Sequence, residues 1–280
     1  MSWSKRDLQA RIAGNGHRHR AGSPAGREVE CYRQNMVRAL ENAQSRRVLV
    51  LGMTPELRQA ALDARAEIVS MELSQKAIDV YGDWIVSNGS ETIVQDNWLA
   101  LDPSVHGRFG AILGDGVFPN LLTQGEQAAL MGKLAQCLEP AGRIVMRHPV
   151  LPDAQELEDM HWTRLVSKLR NAEICEDAFG LSMRLWGLSQ SADVMKDGMV
   201  DNAAVFSKID ALLDGGKISA DEHQLVHRFR FFGKNLFASM GAFEELAARF
   251  DMAVTDHNIN EGFWSRYYRM LTIGRERDEH

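Results

Sequence analysis

A chain of 280 residues with a net charge of −6 has room for one large domain, or for one domain carrying a sizeable insertion. Its 45% hydrophobic and 25% charged residues are the ordinary balance of a globular protein, and no apolar run approaches the roughly 20 residues of a membrane span. No signal-type apolar segment opens the sequence, and Cys31, Cys137 and Cys175 form neither a disulfide framework nor a CxxC pair, so a cytoplasmic, reducing setting is expected.

Charge is unevenly spread. Residues 1–47 hold ten Lys/Arg against four Asp/Glu, and the remainder holds 22 against 34. The basic stretch reads first as a solvated helical extension; the sharper reading is a segment that folds over an anionic ligand. Nucleic acid is not an expected partner, because the overall balance is acidic and no recognition motif appears.

In chain order, Gly14, Gly16, Gly22, Pro24 and Gly26 break residues 1–46 into a short helix, a loop and a longer helix at about 26–45 with Val29, Tyr32, Met36, Val37 and Leu40 at helical spacing. RRVLVLG follows, a continuous apolar run suited to a strand covered on both faces. Pro55, with Thr54 as N-cap, opens a helix to about residue 64. Further strands are predicted at 66–73, 91–98, 110–116 and 143–150. Between them come a helix ending at Gly82, a helix opened by the Thr123/Glu126 capping box and running to about Leu138, and a turn at 139–142. Strand and helix alternate, so an α/β, doubly wound, mostly parallel sheet is expected over 47–151. Residues 152–249 read as an inserted helical cap, with helix starts at Asp153/Glu156 and Ser219/Glu222 and breaks at Asp197-Gly198 and Gly215-Gly216. Residues 250–280 supply two strands, 251–259 and 266–274, as an antiparallel terminal hairpin.

Ligands of such sheets bind beyond the carboxyl ends of the strands. Four stretches fall there: Gly52 to Leu57, Glu72 with Leu73, Asp96-Asn97-Trp98, and Asp115-Gly116. Glu72 stands 20 residues beyond Gly52, where a carboxylate accepts hydrogen bonds from a ribose diol; this need is shared by NAD and S-adenosylmethionine (SAM). The first turn helps to choose. A pyrophosphate wants GxGxxG, whereas GMTPEL keeps one glycine and places Glu56 where it would repel phosphate. SAM carries a sulfonium and no phosphate, so an acidic group there is acceptable. Taken singly, a Glu after a strand, a core Trp98 or an Asp-Gly turn is unremarkable; the signal is their succession.

VLVLGMTPEL, IVSMELS, IVQDNWLALDP, GRFGAILGDGVFPNL and LAQCLEPAGRIVMRHP together resemble the successive motifs of class I SAM-dependent methyltransferases, in particular a subgroup whose first motif reads LG-x-TPEL. The likeness covers about residues 46–150 and the terminal hairpin. It implies a Rossmann-like, seven-stranded methyltransferase sheet with SAM as co-substrate, and cofactor contacts among Gly52, Thr54, Pro55, Glu56, Glu72, Leu73, Asp96, Asn97, Trp98, Asp115 and Gly116. The subgroup's third motif often reads GDW, so Asn97 replaces a carboxylate and either Asp96 or Asn97 meets the adenine.

Methyl transfer is an in-line displacement that needs alignment and water exclusion more than a triad. Asp115, Tyr32 and His148 are the candidates for catalysis; for His148 and His257 a structural role is the better reading, and for Asp115 a role in binding. Tyr32, Phe118 and Trp162 are candidates for substrate contact. With Trp186, Phe229, Phe231 and Phe232 they read first as core and alternatively as an aromatic box closed by arm and cap. The nine histidines are read as showing no HxxxH or Cys–His cluster, so no metal site is expected. Three functions follow: methyl transfer to a small-molecule acceptor; a SAM-consuming cyclisation or lysis that releases methylthioadenosine, as in azetidine-2-carboxylate synthases; or a non-catalytic SAM-binding protein. A small-molecule substrate is the expected partner, with no membrane; a homodimer is compatible with the sequence and not required by it.

Overall fold

The computed structural model describes residues 23–24, 26–85, 89–151, 155–156, 160–190, 198–231, 233–259, 265 and 267–275. Strand β1 (Arg47–Leu51) shows how the sheet is built. Leu49 and Leu51 enter one apolar cluster, Val48 and Val50 the other, so successive side chains serve opposite faces. The same alternation holds for β4 (Phe109–Asp115) and β5 (Leu138–Pro149), where Ile112, Ile144 and Met146 face one layer and Ala111, Leu113 and Val145 the other. With β2 (Glu67–Met71), β3 (Glu91–Val94), β8 (Ala253–Asp256) and β9 (Tyr268–Gly274), they form a seven-stranded sheet in the order β3-β2-β1-β4-β5-β9-β8. The pairs from β3 through β5 are parallel; β9 runs antiparallel to both β5 and β8. This is the doubly wound sheet with an antiparallel terminal hairpin read from the sequence.

One layer holds α1 (Gly26–Asn42) and α2 (Pro55–Asp63). The other holds α5 (Gln124–Cys137) and α10 (Met240–Ala248), whose Phe243, Leu246 and Ala247 belong to the sheet core. Two boundaries therefore shift. Helix α1 is not an arm over the sheet's end but a core helix, with Tyr32, Met36, Ala39 and Leu40 buried against β4 and β5. Helix α10 leaves the expected cap for the core. The short helix and loop expected before Gly22, and the Asp153/Glu156 start, involve residues outside those described.

The cap has its own apolar cluster, built on α6 (Trp162–Arg170), α7 (Glu176–Ser189), α8 (Asn202–Asp214) and α9 (Ala220–His227). It also contains a two-stranded antiparallel sheet that a helical reading did not include: β6 (Met199–Asp201) pairs with β7 (Lys234–Leu236) across the two helices between them. Three-residue strands leave too little period-2 pattern to be read.

Local signals held where both partners were close in sequence. The Thr123/Glu126 and Ser219/Glu222 capping boxes both form. Thr54 is a correction: it precedes α2, yet its side chain caps nothing. The turn expected at 139–142 lies within β5 as an irregularity, since Phe109 pairs with Leu138 and Ala111 already with Arg143.

Candidate functional site

The carboxyl ends of β1, β2 and β4, with the turn after β3, surround a cavity of about 370 Å3. Gly52 follows β1 with φ +96, a left-handed conformation that glycine adopts without strain; its N–H donates to Met71 O at 2.8 Å. Its missing side chain leaves the strand end open towards Glu72 and Trp98. Glu72 is held by its own turn, Oε1 accepting from Ser74 N at 2.8 Å. Burial pushes its pKa above the usual carboxylate range, with the Ser74 and Leu73 backbone N–H groups working the other way. Trp98 is fixed in orientation by donating Nε1–H to Met71 O at 2.8 Å, and Asn97 Oδ1 caps the short helix Trp98–Ala100 through Leu99 N.

The structure brings Gly52, Thr54, Glu72, Leu73, Asn97, Trp98 and Asp115 to this cavity. Asp96 is not on its wall; its carboxylate accepts from Asn97 N at 2.7 Å. Pro55 and Glu56 are also corrected: they line a separate groove with Val29, Arg33 and Trp84, because the first turn of α2 points them to the sheet's flank. Gly116 borders a second cavity. Leu73 and Leu122, 53% and 38% exposed, flank the first one, apolar surface that a planar ligand would cover.

That second cavity, about 190 Å3, adjoins the first, sharing Thr54, Asp115 and Asn120 with it, and is otherwise lined by Arg147, Arg184, Asn235, Phe231, Tyr268 and others. Arg147, on β5, is fully buried and doubly paired. Its Nε and Nη2 donate to Asp115 Oδ1 and Oδ2 at 2.9 and 3.1 Å, and Nη1 donates to Glu28 Oε2 at 3.1 Å. Burial works against its charge; Asp115 and Glu28 more than reverse this, and its pKa lies above the ordinary arginine value.

Four aromatic or titratable candidates are displaced from the site. Tyr32 is buried, its hydroxyl donating to Gly114 O at 2.6 Å and accepting from Arg147 N at 2.7 Å. Burial, with the nearby Asp115 charge, raises its pKa well above that of a free phenol, so it is neither a substrate wall nor a base. His148 is buried against Phe243 with ring centroids 4.1 Å apart, and burial lowers its pKa to about 3. Phe118 packs edge-on against the same Phe243 in the core. Trp162 starts α6 and packs half-buried on the cap cluster, not on either cavity. Asp115 does border both cavities, with both carboxylate oxygens engaged by Arg147.

Sequence reasoning missed Arg147, Arg184, Asn120, Asn235 and Tyr268. Arg184 carried a signal, a lone charge inside LSMRLWGL. It also missed an HxxxH pair. His223 and His227 lie one turn apart on α9, and both Nε2 atoms approach Asp210 Oδ1, at 2.8 and 3.3 Å. These are metal-type ligands, which corrects the reading that no such cluster exists. Arg230 Nη1 lies 3.3 Å from His227 Nδ1. A guanidinium only donates, so Nδ1 accepts and the proton sits on Nε2, aimed at Asp210. The trio is thus satisfied as a hydrogen-bonded clasp between α8 and α9.

No protein-family model matches the sequence, and no curated protein matches it. Solved structures share the fold. A Rhodobacter sphaeroides protein provisionally described as a Zn-dependent alcohol dehydrogenase aligns with TM-score 0.57 and 17% identity over 98% of this chain and 99% of that one. The CcbJ methyltransferase from Streptomyces caelestis aligns with TM-score 0.52 and 16% identity over 88% and 90%. PKMT2 from Rickettsia typhi gives 0.51 and 15% over 90% of this chain and 54% of that one. At these identities the likeness establishes the fold, a Rossmann-like sheet of the methyltransferase type, and nothing finer.

Proposed function

We propose that this chain binds S-adenosylmethionine at the strand-end cavity and transfers its methyl group to a small-molecule acceptor. One observation carries the reading. Among the described residues the cavity is lined by Glu72, Asp115 and Glu126 and by no lysine or arginine. A dinucleotide would bring a pyrophosphate to this acidic wall with no cation to meet it, although one fold neighbour is described as a dehydrogenase. A sulfonium and an ammonium suit the same wall. The fit extends to size, since about 370 Å3 lies within the range of small-ligand sites. It extends to polarity as well: Glu72 is a ready acceptor for a sugar diol, with Leu73 and Trp98 as apolar walls and Asn97 as the polar edge beside them. Of the fold neighbours, CcbJ is described as a methyltransferase and PKMT2 was solved in complex with AdoHcy.

Once bound, the group supplies an activated methyl carbon. The protein's part is to orient and to keep water out. Glu72 holds the sugar, Gly52 lets it approach the strand end, and Thr54, Asp115 and Asn120 mark the junction where the acceptor's cavity begins. Asp115, the candidate that reaches that junction, has both carboxylate oxygens taken by Arg147, which suits an acceptor that arrives as a nucleophile already.

The size of the second cavity supports another reading. About 190 Å3 suits a small acceptor or the amino-acid tail of the cofactor itself. In that case the cofactor's own amine attacks its side chain and methylthioadenosine leaves. Incubating the protein with SAM alone, then with candidate acceptors, separates these. S-adenosylhomocysteine formed only with an acceptor supports methyl transfer. Methylthioadenosine formed without one supports cyclisation or lysis. Absence of binding in calorimetry with SAM and S-adenosylhomocysteine would sink both.

A further inference from the structure

The second cavity holds a charged group that the chain does not neutralise. Arg184 sits midway along α7 and is 4% exposed. Its guanidinium stacks on Phe231 with Cζ 4.2 Å from the ring centre, lies beside Tyr268 on the cavity wall, and reaches Asn202 Oδ1 with Nη2 at a long 3.4 Å. Its Nε is buried with no hydrogen-bond partner. No carboxylate is within ion-pairing distance of it among the described residues. Among the described residues, the two other fully or nearly fully buried arginines differ. Arg147 has Asp115 and Glu28, and Arg58 forms a two-pronged pair with Glu91 at 2.7 and 2.8 Å.

A buried, unpaired guanidinium is costly to a fold. Nor is it mispacked. The groups around it are themselves tied down: Asn202 donates to Gly233 O and Asn235 Oδ1, and Asn235 donates to Pro119 O and towards Asn120 Oδ1 at the border with the first cavity. The residue is held in place by neighbours that satisfy one another, and it lines the cavity. Five N–H donors in a planar fork match a carboxylate, two oxygens to two nitrogens.

We propose that Arg184 anchors a carboxylate of the bound ligand, either that of the cofactor's amino-acid tail or one on the second substrate. This rests on the reading of the first cavity as a SAM site, and the experiment keeps the two apart. Wild type, Arg184→Gln and Arg184→Lys are titrated calorimetrically with S-adenosylhomocysteine, with methylthioadenosine, which keeps the nucleoside but lacks the carboxylate, and with malonate as a bare carboxylate probe. If the anchor serves the cofactor tail, Arg184→Gln binds S-adenosylhomocysteine at least tenfold more weakly, methylthioadenosine unchanged, and Arg184→Lys falls between. If it serves the second substrate, both nucleosides bind unchanged and malonate binding, present in wild type, is lost in Arg184→Gln. Equal affinity of wild type and Arg184→Gln for all three ligands overturns the anchor. Failure of wild type to bind either nucleoside overturns the SAM reading, and malonate then still decides whether Arg184 is an anion site.

Discussion

Arg147 and Arg184 flank one cavity together with Tyr268, whose ring lies 4.8 Å from the Arg147 Cζ. The sheet neutralises its arginine twice over. The cap gives its arginine an aromatic face and a distant amide. A charge answered by the chain's own carboxylates is part of the scaffold; a charge buried and left unanswered is held for something that is not part of the chain. The difference locates the acidic, cation-seeking half of the site on the sheet and the basic, anion-seeking half on the cap.

Breaking the sheet's arrangement should have the largest effect. Glu28→Ala removes one of the carboxylates against Arg147 and unties α1 from β5 at a point with no access to water. Stripping a partner from a buried pair typically costs about 3–5 kcal/mol. The expected outcome is a drop of that size in urea unfolding; a change under about 1 kcal/mol would mean that Asp115 alone suffices and the comparison is overstated. Glu72→Ala comes next and acts on binding. Hydrogen bonds to a charged group are worth about 1.5–3 kcal/mol, so calorimetric affinity for S-adenosylhomocysteine should fall about 10- to 100-fold with the fold unchanged. Because burial raises the Glu72 pKa, that affinity should also decline on acidification sooner than an ordinary carboxylate would allow.

Most of the scaffold was legible because it depends on short-range facts. Continuous apolar runs such as VLVL and AIL are strands covered on both faces, and strands taken in order carry Gly52, Glu72, Asn97, Trp98 and Asp115 to one edge whatever lies around them. The capping boxes close within four residues. What was not legible depends on which element covers which. The stripe on α1 announces burial but not that Tyr32 would be sealed between Gly114 and Arg147. The first turn of α2 sets whether Glu56 faces the cavity or the flank, and periodicity does not say. Arg184, Asn202 and Asn235 come together through a cap ladder of three-residue strands far apart in sequence. The HxxxH at 223–227 is different: it was present in plain sequence.

His148 sharpens the comparison from a third side, as a buried titratable group that stays neutral. Burial lowers its pKa from about 6.5 to about 3, so the unfolded chain binds a proton over that interval and the folded chain does not. Stability is therefore complete above about pH 6.5 and falls as the pH drops towards 3, by at most roughly 1.4 kcal/mol per pH unit from this group. His148→Phe keeps the stack on Phe243 and removes the proton site. Urea midpoints between pH 7 and pH 5 should fall less steeply for the variant than for wild type, and parallel slopes would show that His148 is not what makes the core acid-sensitive.

The smallest effect is the most telling, because its sign is opposite to that at Glu28. Arg184→Met keeps a long, flexible side chain against Phe231 while deleting the unanswered charge and the orphaned Nε–H. Losing the weak bond to Asn202 removes about 1 kcal/mol of stabilisation, whereas relieving a buried ion without a counter-ion returns about 1–4 kcal/mol. The balance favours a free protein as stable as wild type or more so, by about 1 kcal/mol in urea unfolding. Such trade-offs are common where a residue is kept for binding. Adding malonate should then reverse the order, stabilising wild type and leaving the variant unmoved. If Arg184→Met instead unfolds as readily as Glu28→Ala, the cap's arginine is scaffold after all, and the two sides of the cavity differ in detail but not in kind.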